Sequence, residues 1–439
     1  GSLDTLAGEV KKDLTKFQQT HYSADQMGAV VLSNESIKEM RIWISPLFSQ
    51  IPNRDIGEAS PQPPVVLPKE LPITLSSKPL KENYQVEYTF MVPSIIQSYD
   101  IKPDSYISNL LGHEGSGSLH ALLTEYGWIE SLSAGSGSLD RENSAITISL
   151  SLTKSGAKNI PKISSLLFQY IALLKEEGPK EWLYKEQAIV ANLAFEFQEK
   201  GGALPFVSGL APKLRNYPVQ DLISSSYLMR NFDDQLISKY LEHLNQDSVM
   251  IEIIVPDADT DQIEPWFNVP YSLKKNHIEL SPVKTTKLFL PKKNPYLPEN
   301  LSLLPDDTKP LERSSPDENL RIWLDQDLEF EAPKANLYLR INFANALFTA
   351  TDRVFAQMYR SLVSDALSES VYPAYLAGLG QQLSVSDTGY EVRLSGFSDK
   401  QLVLLETVMM KLTSTKIQPA RFQVLKSTLI RKWLNSSKD

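Results

Sequence analysis

Ile146-Thr147-Ile148-Ser149-Leu150-Ser151-Leu152 alternates apolar and polar side chains with period two, the pattern of a strand with one buried face. After the turn Lys154-Ser155-Gly156, the residues Ile163, Leu166, Leu167, Tyr170, Ile171 and Leu174 recur at helical spacing. The same plan occurs twice more. Ala29 to Leu32 predicts a strand, Ser33 to Ser36 a turn and N-cap, and Ile37, Met40, Ile44, Leu47 and Phe48 a helix. Tyr390 to Leu394, then Ser398-Asp399, then Leu402, Leu405, Val408, Met409 and Leu412 make the third copy. Gly178-Pro179 and Gln418-Pro419 each open a further helix, with Pro near its first turn. Two regions thus share one order of elements, although strand-turn-helix units also recur by chance in α+β chains.

Proline divides these segments. Ten of the 28 prolines fall between Pro265 and Pro333, so that stretch reads as an extended connector rather than helix or central strand. A smaller break runs from Ile51 to Pro72. A length of 439 residues suggests two or three domains, each able to bury its own core. With 42% hydrophobic and 22% charged residues and no apolar run near the ~20 residues of a membrane span, a soluble chain without a membrane span is expected. Lys and Arg total 44 against 53 Asp and Glu, scattered along the chain, which argues against nucleic acid as a partner. The absence of cysteine excludes disulfides, Cys-ligated zinc and thiol catalysis, and leaves the compartment open. Gly1 to Leu6 shows no signal-peptide pattern.

None of the five histidines, His21, His113, His120, His243 and His277, stands in a zinc spacing such as His-x-x-Glu-His. The neighbours His113 and Glu114 point apart and easily supply at most one ligand to a metal. No Gly-x-Ser-x-Gly elbow directly follows a strand, and the glycines of residues 112–117 lack the Gly-Lys-Ser/Thr ending of a P-loop. These residues read instead as a loop opening a helix, with Leu119, Leu122 and Leu123 on its apolar side. Residues 129–137 follow as a short run ending in small residues, where another backbone could approach closely. The plainer reading of that run is an edge strand with a loose turn.

Leu111-Gly112-His113-Glu114-Gly115-Ser116-Gly117-Ser118-Leu119, followed by Gly127-Trp128 and Leu132, resembles a signature of the insulysin–pitrilysin family of zinc metallopeptidases. His21-Tyr22-Ser23-Ala24-Asp25-Gln26-Met27, Glu176-Glu177-Gly178-Pro179, Leu290-Pro291 with Asn294-Pro295-Tyr296-Leu297-Pro298, and Pro333-Lys334-Ala335 are similar to family sequence as well. The resemblance implies an α+β fold of repeated pitrilysin-type domains, each a mainly antiparallel sheet with helices packed on one face. Residues 1–55 would be the tail of a first, catalytic domain, 70–260 a complete second domain, 261–333 the proline-rich linker and 334–439 the first part of a third. The family's zinc motif is missing, so zinc is expected in the parent protein and no cofactor or catalytic residue in this chain.

The family's second domain grips the start of a substrate by extending a sheet edge. Its positions fall on Gly112, Glu114, Leu132 and Ala134, with Gly135 beside them and Asn109 where family members have His. Glu114 would face the substrate's α-ammonium. The implied role is a non-catalytic portion of a zinc metalloendopeptidase that encloses and anchors peptides. The alternative is a catalytically inactive member acting as a peptide-binding or structural partner subunit. Expected partners are peptides or partly unfolded polypeptides and the N-terminal catalytic and C-terminal portions of the same protein. The location would be periplasmic for a bacterial pitrilysin-like protein and cytosolic otherwise.

Overall fold

The computed structural model describes residues 8–57, 64–277, 279–303, 312–317, 320–327, 329–343 and 349–436. The chain divides into two units, residues 1–113 with 117–290, and residues 114–116 with 291–439. The first unit opens with α1 (Val10–His21) and α2 (Ile37–Phe48). Strands β1 (Ile73–Ser77) and β2 (Gln85–Pro93), helices α3 (Pro103–Leu111) and α4 (Leu119–Glu125), and the hairpin β3 (Ile129–Ser138) and β4 (Asn143–Leu152) follow. Helices α5 (Lys154–Ala157), α6 (Ile160–Glu177), α7 (Glu181–Glu196), α8 (Ala203–Leu210) and α9 (Asp234–Glu242) lead to β5 (Val249–Ile254), β6 (Gln262–Ile263) and β7 (Pro270–Lys274).

These strands form one sheet in the order β3-β4-β2-β5-β1-β7-β6, antiparallel except for the β1–β5 pair. Period-two alternation on the central strands decides which face is covered. Val86, Tyr88, Phe90 and Val92 of β2 and Ile146, Ile148, Leu150 and Leu152 of β4 are buried in one core with Ile163, Leu166, Leu167, Tyr170, Ile171 and Leu174 of α6. Several polar groups inside that core are paired, as burial favours, while the buried Tyr184 and Ser108 hydroxyls have no hydrogen-bond partner among the described residues. Tyr88 Oη and Ser164 Oγ lie 2.6 Å apart, and Tyr240 Oη donates to the Ser94 carbonyl at 3.0 Å.

The first predicted strand–turn–helix copy forms only in part. Ser36 caps α2 in a reciprocal box with Glu39, as its spacing predicts. Ala29 to Leu32, expected as a strand, belongs to no strand among the described residues. Alternation and apolarity dispose a segment to extend, but a strand exists only where a neighbour takes its N–H and C=O groups.

On the sheet face opposite the core, Glu87 of β2 stands directly across from Glu252 of β5, and Leu75 of β1 flanks Glu252 on its other side. Burial raises the Glu252 carboxyl above the usual range, and the Glu87 charge adds to the shift. The folded state therefore keeps this proton to higher pH than the unfolded chain. Stability is lost as pH rises from the ordinary glutamate range through the raised folded value. Glu252→Gln should add about 0.2–1 kcal/mol at neutral pH, the cost of opposed like charges. Urea unfolding from pH 4 to 8 should show the gain shrinking toward acid; an equal gain at every pH would refute the charge origin.

In the second unit β8 (Glu312–Asp317) and β9 (Leu320–Leu324) form a separate pair. Then come β10 (Lys334–Asn342), α10 (Ala350–Leu376), β11 (Gly380–Val385), β12 (Gly389–Phe397), α11 (Gln401–Ser414) and α12 (Pro419–Ser436). Its sheet order, β10-β12-β11, repeats β2-β4-β3 of the first unit, and each central strand is followed by two long helices, α6–α7 or α11–α12. The shared order of elements read from sequence is therefore a shared topology. Pro419 occupies the first position of α12, where its missing N–H costs nothing.

Among the described residues, 265–333 contains no helix, but Pro270–Lys274 forms β7, paired on both sides by β1 and β6. This part of the expected connector is therefore an interior strand, its proline at the first position, where a missing N–H is tolerated. The stretch beyond it is fastened down rather than free. Ser281 N–H donates to the Pro161 carbonyl at 3.2 Å and Phe289 N–H to Gly117 at 3.0 Å within the first unit. In the second, Asn294 Nδ2 donates to the Pro373 carbonyl at 2.7 Å, and Tyr296 is buried with its hydroxyl 3.2 Å from Thr407 Oγ1.

Candidate functional site

Helix α3 begins with Pro103 at a first-turn position and Asp104 beside it, a proline and an acid where the helix end favours both. Two contacts hold it against β3. Ser136 Oγ donates to Asp104 Oδ2 at 2.5 Å. At the other end Gly112 follows the last turn so closely that a Cβ there would lie 3.2 Å from the Ala134 nitrogen and 3.4 Å from the Ala134 Cβ. Gly112 is needed for approach, since its φ of -89° suits any residue.

Among the described residues, strand β3 lies at one end of the sheet, with β4 as its single neighbour. Which of its main-chain groups are free follows from two bonds. Leu139 N–H donates to the Asn143 carbonyl at 2.8 Å, and Leu152 N–H of β4 turns the other way, to Tyr84 at 2.7 Å. Hydrogen-bonding direction alternates along an antiparallel pair. With the register Ser133↔Ser149, Gly135↔Thr147 and Gly137↔Ala145, these three β3 residues bond β4, while Leu132, Ala134 and Ser136 turn N–H and C=O to the free edge. Side chains alternate too: Leu132 is buried and Ala134 half-buried against α3, whereas Ser133, Gly135 and Gly137 are exposed. The edge bears one charge, Glu130, and no proline. The opposite end of the sheet is closed by β6, only two residues long.

The structure thus brings Gly112, Leu132 and Ala134 together, and turns the main chain of Gly135 away from the edge. Glu114 is half-buried, and burial raises its carboxyl above the ordinary range. Its stretch, 114–116, groups with the second unit, so the edge on the first unit rests on Gly112 and β3. Burial, helped by the nearby His120, holds His113 down to about 4, which keeps its ring neutral at pH 7. Asn109, one turn before Gly112, accepts a hydrogen bond at its Oδ1 from Gln187 Nε2 of α7 at 3.1 Å. No local pattern in the sequence marks Ser136 or Gln187 as part of the site. A β3–β4 register could have shown the first, and nothing in the sequence pairs Gln187 with a residue 78 positions away. Among the described residues no group of three or more His, Asp or Glu could hold a metal ion. The residues here do not fit a zinc centre.

Two family profiles match. "Peptidase M16 inactive domain" covers residues 10–189, and "Middle or third domain of peptidase_M16" covers residues 195–439. The chain belongs to the M16 peptidases, the zinc metallopeptidase family that includes insulin-degrading enzyme and pitrilysin. It is 31% identical to insulin-degrading enzyme-like 1, peroxisomal, of Arabidopsis thaliana over 99% of its length and 46% of the relative's. It is 29% identical to human insulin-degrading enzyme over 96% of its length and 42% of the relative's. The crystal structure of pitrilysin superposes with a TM-score of 0.78 at 22% identity, covering all of this chain and 47% of that one, which shows a shared fold. The chain spans about half the length of these relatives.

Proposed function

We propose that this chain is the substrate-holding portion of a zinc metalloendopeptidase, and that it captures the first residues of an extended peptide on the free edge of β3. One observation supports this above the others. A ten-residue edge strand with small outward residues and outward main-chain groups at Leu132, Ala134 and Ser136 is a template that proteins ordinarily blunt. Left open, it offers β-augmentation, in which main-chain bonds hold almost any sequence. Glu114, two residues beyond Gly112, receives the peptide's α-ammonium, and peptide-bond cleavage belongs to a zinc centre carried elsewhere in the peptidase. The name of the matched profile, an inactive domain, favours a second reading, a partner subunit without catalysis of its own. The intact mass of the native protein separates the two: a species about twice as long as this chain supports the peptidase, one of this length the partner subunit.

Amide hydrogen exchange with a saturating unstructured peptide should protect Leu132, Ala134 and Ser136 while the already bonded amides of Ser133 and Gly135 change little. Absence of that pattern would remove the edge reading. Because burial raises the Glu114 carboxyl, its ionised form is gained only as pH rises through that raised value. Affinity for a free-amine peptide should fall as pH drops through the same window, and that for the N-acetylated peptide should not. An exposed to partly buried charge pair predicts a several-fold difference, about 0.2–1 kcal/mol and up to about 3 kcal/mol in a dry, hydrogen-bonded site. Equal losses in Glu114→Gln for both peptides would end the ammonium role.

A further inference from the structure

The accessible stripe of α3 runs along Ser105, Asn109 and Gly112, each half-buried, while Tyr106, Ile107, Leu110 and Leu111 point into the core. At about 100° per residue, Asp104 and Gly112 face β3, as their contacts show, and Asn109 lies a further step round, away from the core. Helix α7 stands on the other side of α3, with the Tyr106 and Tyr184 rings 6.5 Å apart and Lys180 N–H donating to Tyr106 Oη at 2.8 Å. The stripe is therefore a floor between β3 and α7. A peptide strand added to β3 directs alternate side chains to the helix-covered face of the sheet, over this floor.

Gln187 of α7 uses its Nε2 to hold the Oδ1 of Asn109. One N–H on the Asn109 oxygen fixes which way the amide is turned and leaves its two N–H groups to be presented, with one oxygen lone pair remaining. We propose that Gln187 is a positioning residue that fixes Asn109 as a donor, so that the site favours peptides with a hydrogen-bond acceptor, Asp, Asn, Glu, Gln, Ser or Thr, at the one position lying over Asn109. This rests on the edge-capture reading. It narrows that reading from any extended peptide to those with an acceptor at one place among the first residues. A neighbouring aliphatic side chain would leave the Asn109 donors without a partner when water is displaced.

Calorimetric titration of free-amine peptides in which Ala, Leu, Asn and Asp are scanned through the first four positions tests this on the whole chain. The unsubstituted protein should prefer Asn or Asp over Leu at a single position by about two- to tenfold, the net worth of one hydrogen bond. In Gln187→Leu the Asn109 amide is free to turn, and the ratio should fall to about one. Gln187→Met provides a second variant with the same helix tendency should Leu disturb α7. A merely structural role for Gln187 would weaken every peptide alike and leave the ratio intact, which would overturn the proposal. Retained β3 amide protection in the variant, with an unchanged ratio, would discard the positioning role of Gln187 and leave edge capture standing. No protection in the unsubstituted protein would discard edge capture, and this inference with it.

Discussion

Gly156→Ala is expected to lower the stability of the first unit by about 3 kcal/mol or more, the range of severe overpacking against backbone. A Cβ at Gly156 would lie 1.8 Å from the Trp128 carbonyl oxygen and 2.8 Å from its carbon. Neither atom can move cheaply. The Trp128 carbonyl accepts from Thr153 N–H at 3.0 Å, Thr153 Oγ1 donates to the Gly127 carbonyl at 2.7 Å, and the same hydroxyl caps α5 through Gly156 N–H at 3.0 Å. Shifting Trp128 therefore disturbs the start of β3, the cap of α5 and the turn into α6 together. The melting temperature of a unit this size should fall by roughly 5 °C or more. Gly135→Ala is the control, because nothing lies within 4 Å of a Cβ there. Thermal and urea unfolding of both variants decide the point, and a loss under about 1 kcal/mol in Gly156→Ala would refute the close approach.

That contrast shows where the sequence was legible. The strand and helix of residues 146–174 and of 390–412 could be read because their burial follows the local period, two and then 3.6. Pro419 at the start of α12 and the Ser36–Glu39 cap of α2 were equally local. The triplet Lys154-Ser155-Gly156 read only as a turn, since the atom that requires a glycine belongs to Trp128, 28 positions earlier. Ala29 to Leu32 failed for the matching reason: its pattern was right, and no neighbour exists among the described residues. The family signature offers Gly112, Leu132 and Ala134 as candidates, and the structure packs Gly112 against Ala134. The signature could not tell that Ala134 turns outward and Gly135 inward, because direction is set by register with β4.

This difference gives the second large effect. Proline removes one backbone N–H and fixes φ near the extended range, and it is tolerated on an edge strand where that N–H faces solvent. Ala134 N–H faces the free edge, so Ala134→Pro breaks no bond to β4. It should fold with little loss and bind peptides at least tenfold more weakly, because the new ring replaces a donor and stands where the incoming strand must lie. Free-amine and N-acetylated peptides should suffer alike, since the lost contact is to backbone. Gly135 N–H bonds β4, so Gly135→Pro removes a ladder bond and leaves a β4 carbonyl without its donor, which on unfolding in urea should cost about 1–3 kcal/mol. Calorimetry and unfolding on the two variants, one residue apart, should thus give opposite outcomes. Undiminished peptide binding by Ala134→Pro would exclude the β3 edge as the anchor. An unfolded Ala134→Pro beside a stable Gly135→Pro would reverse the assigned hydrogen-bond direction and move the outward donors to Ser133, Gly135 and Gly137.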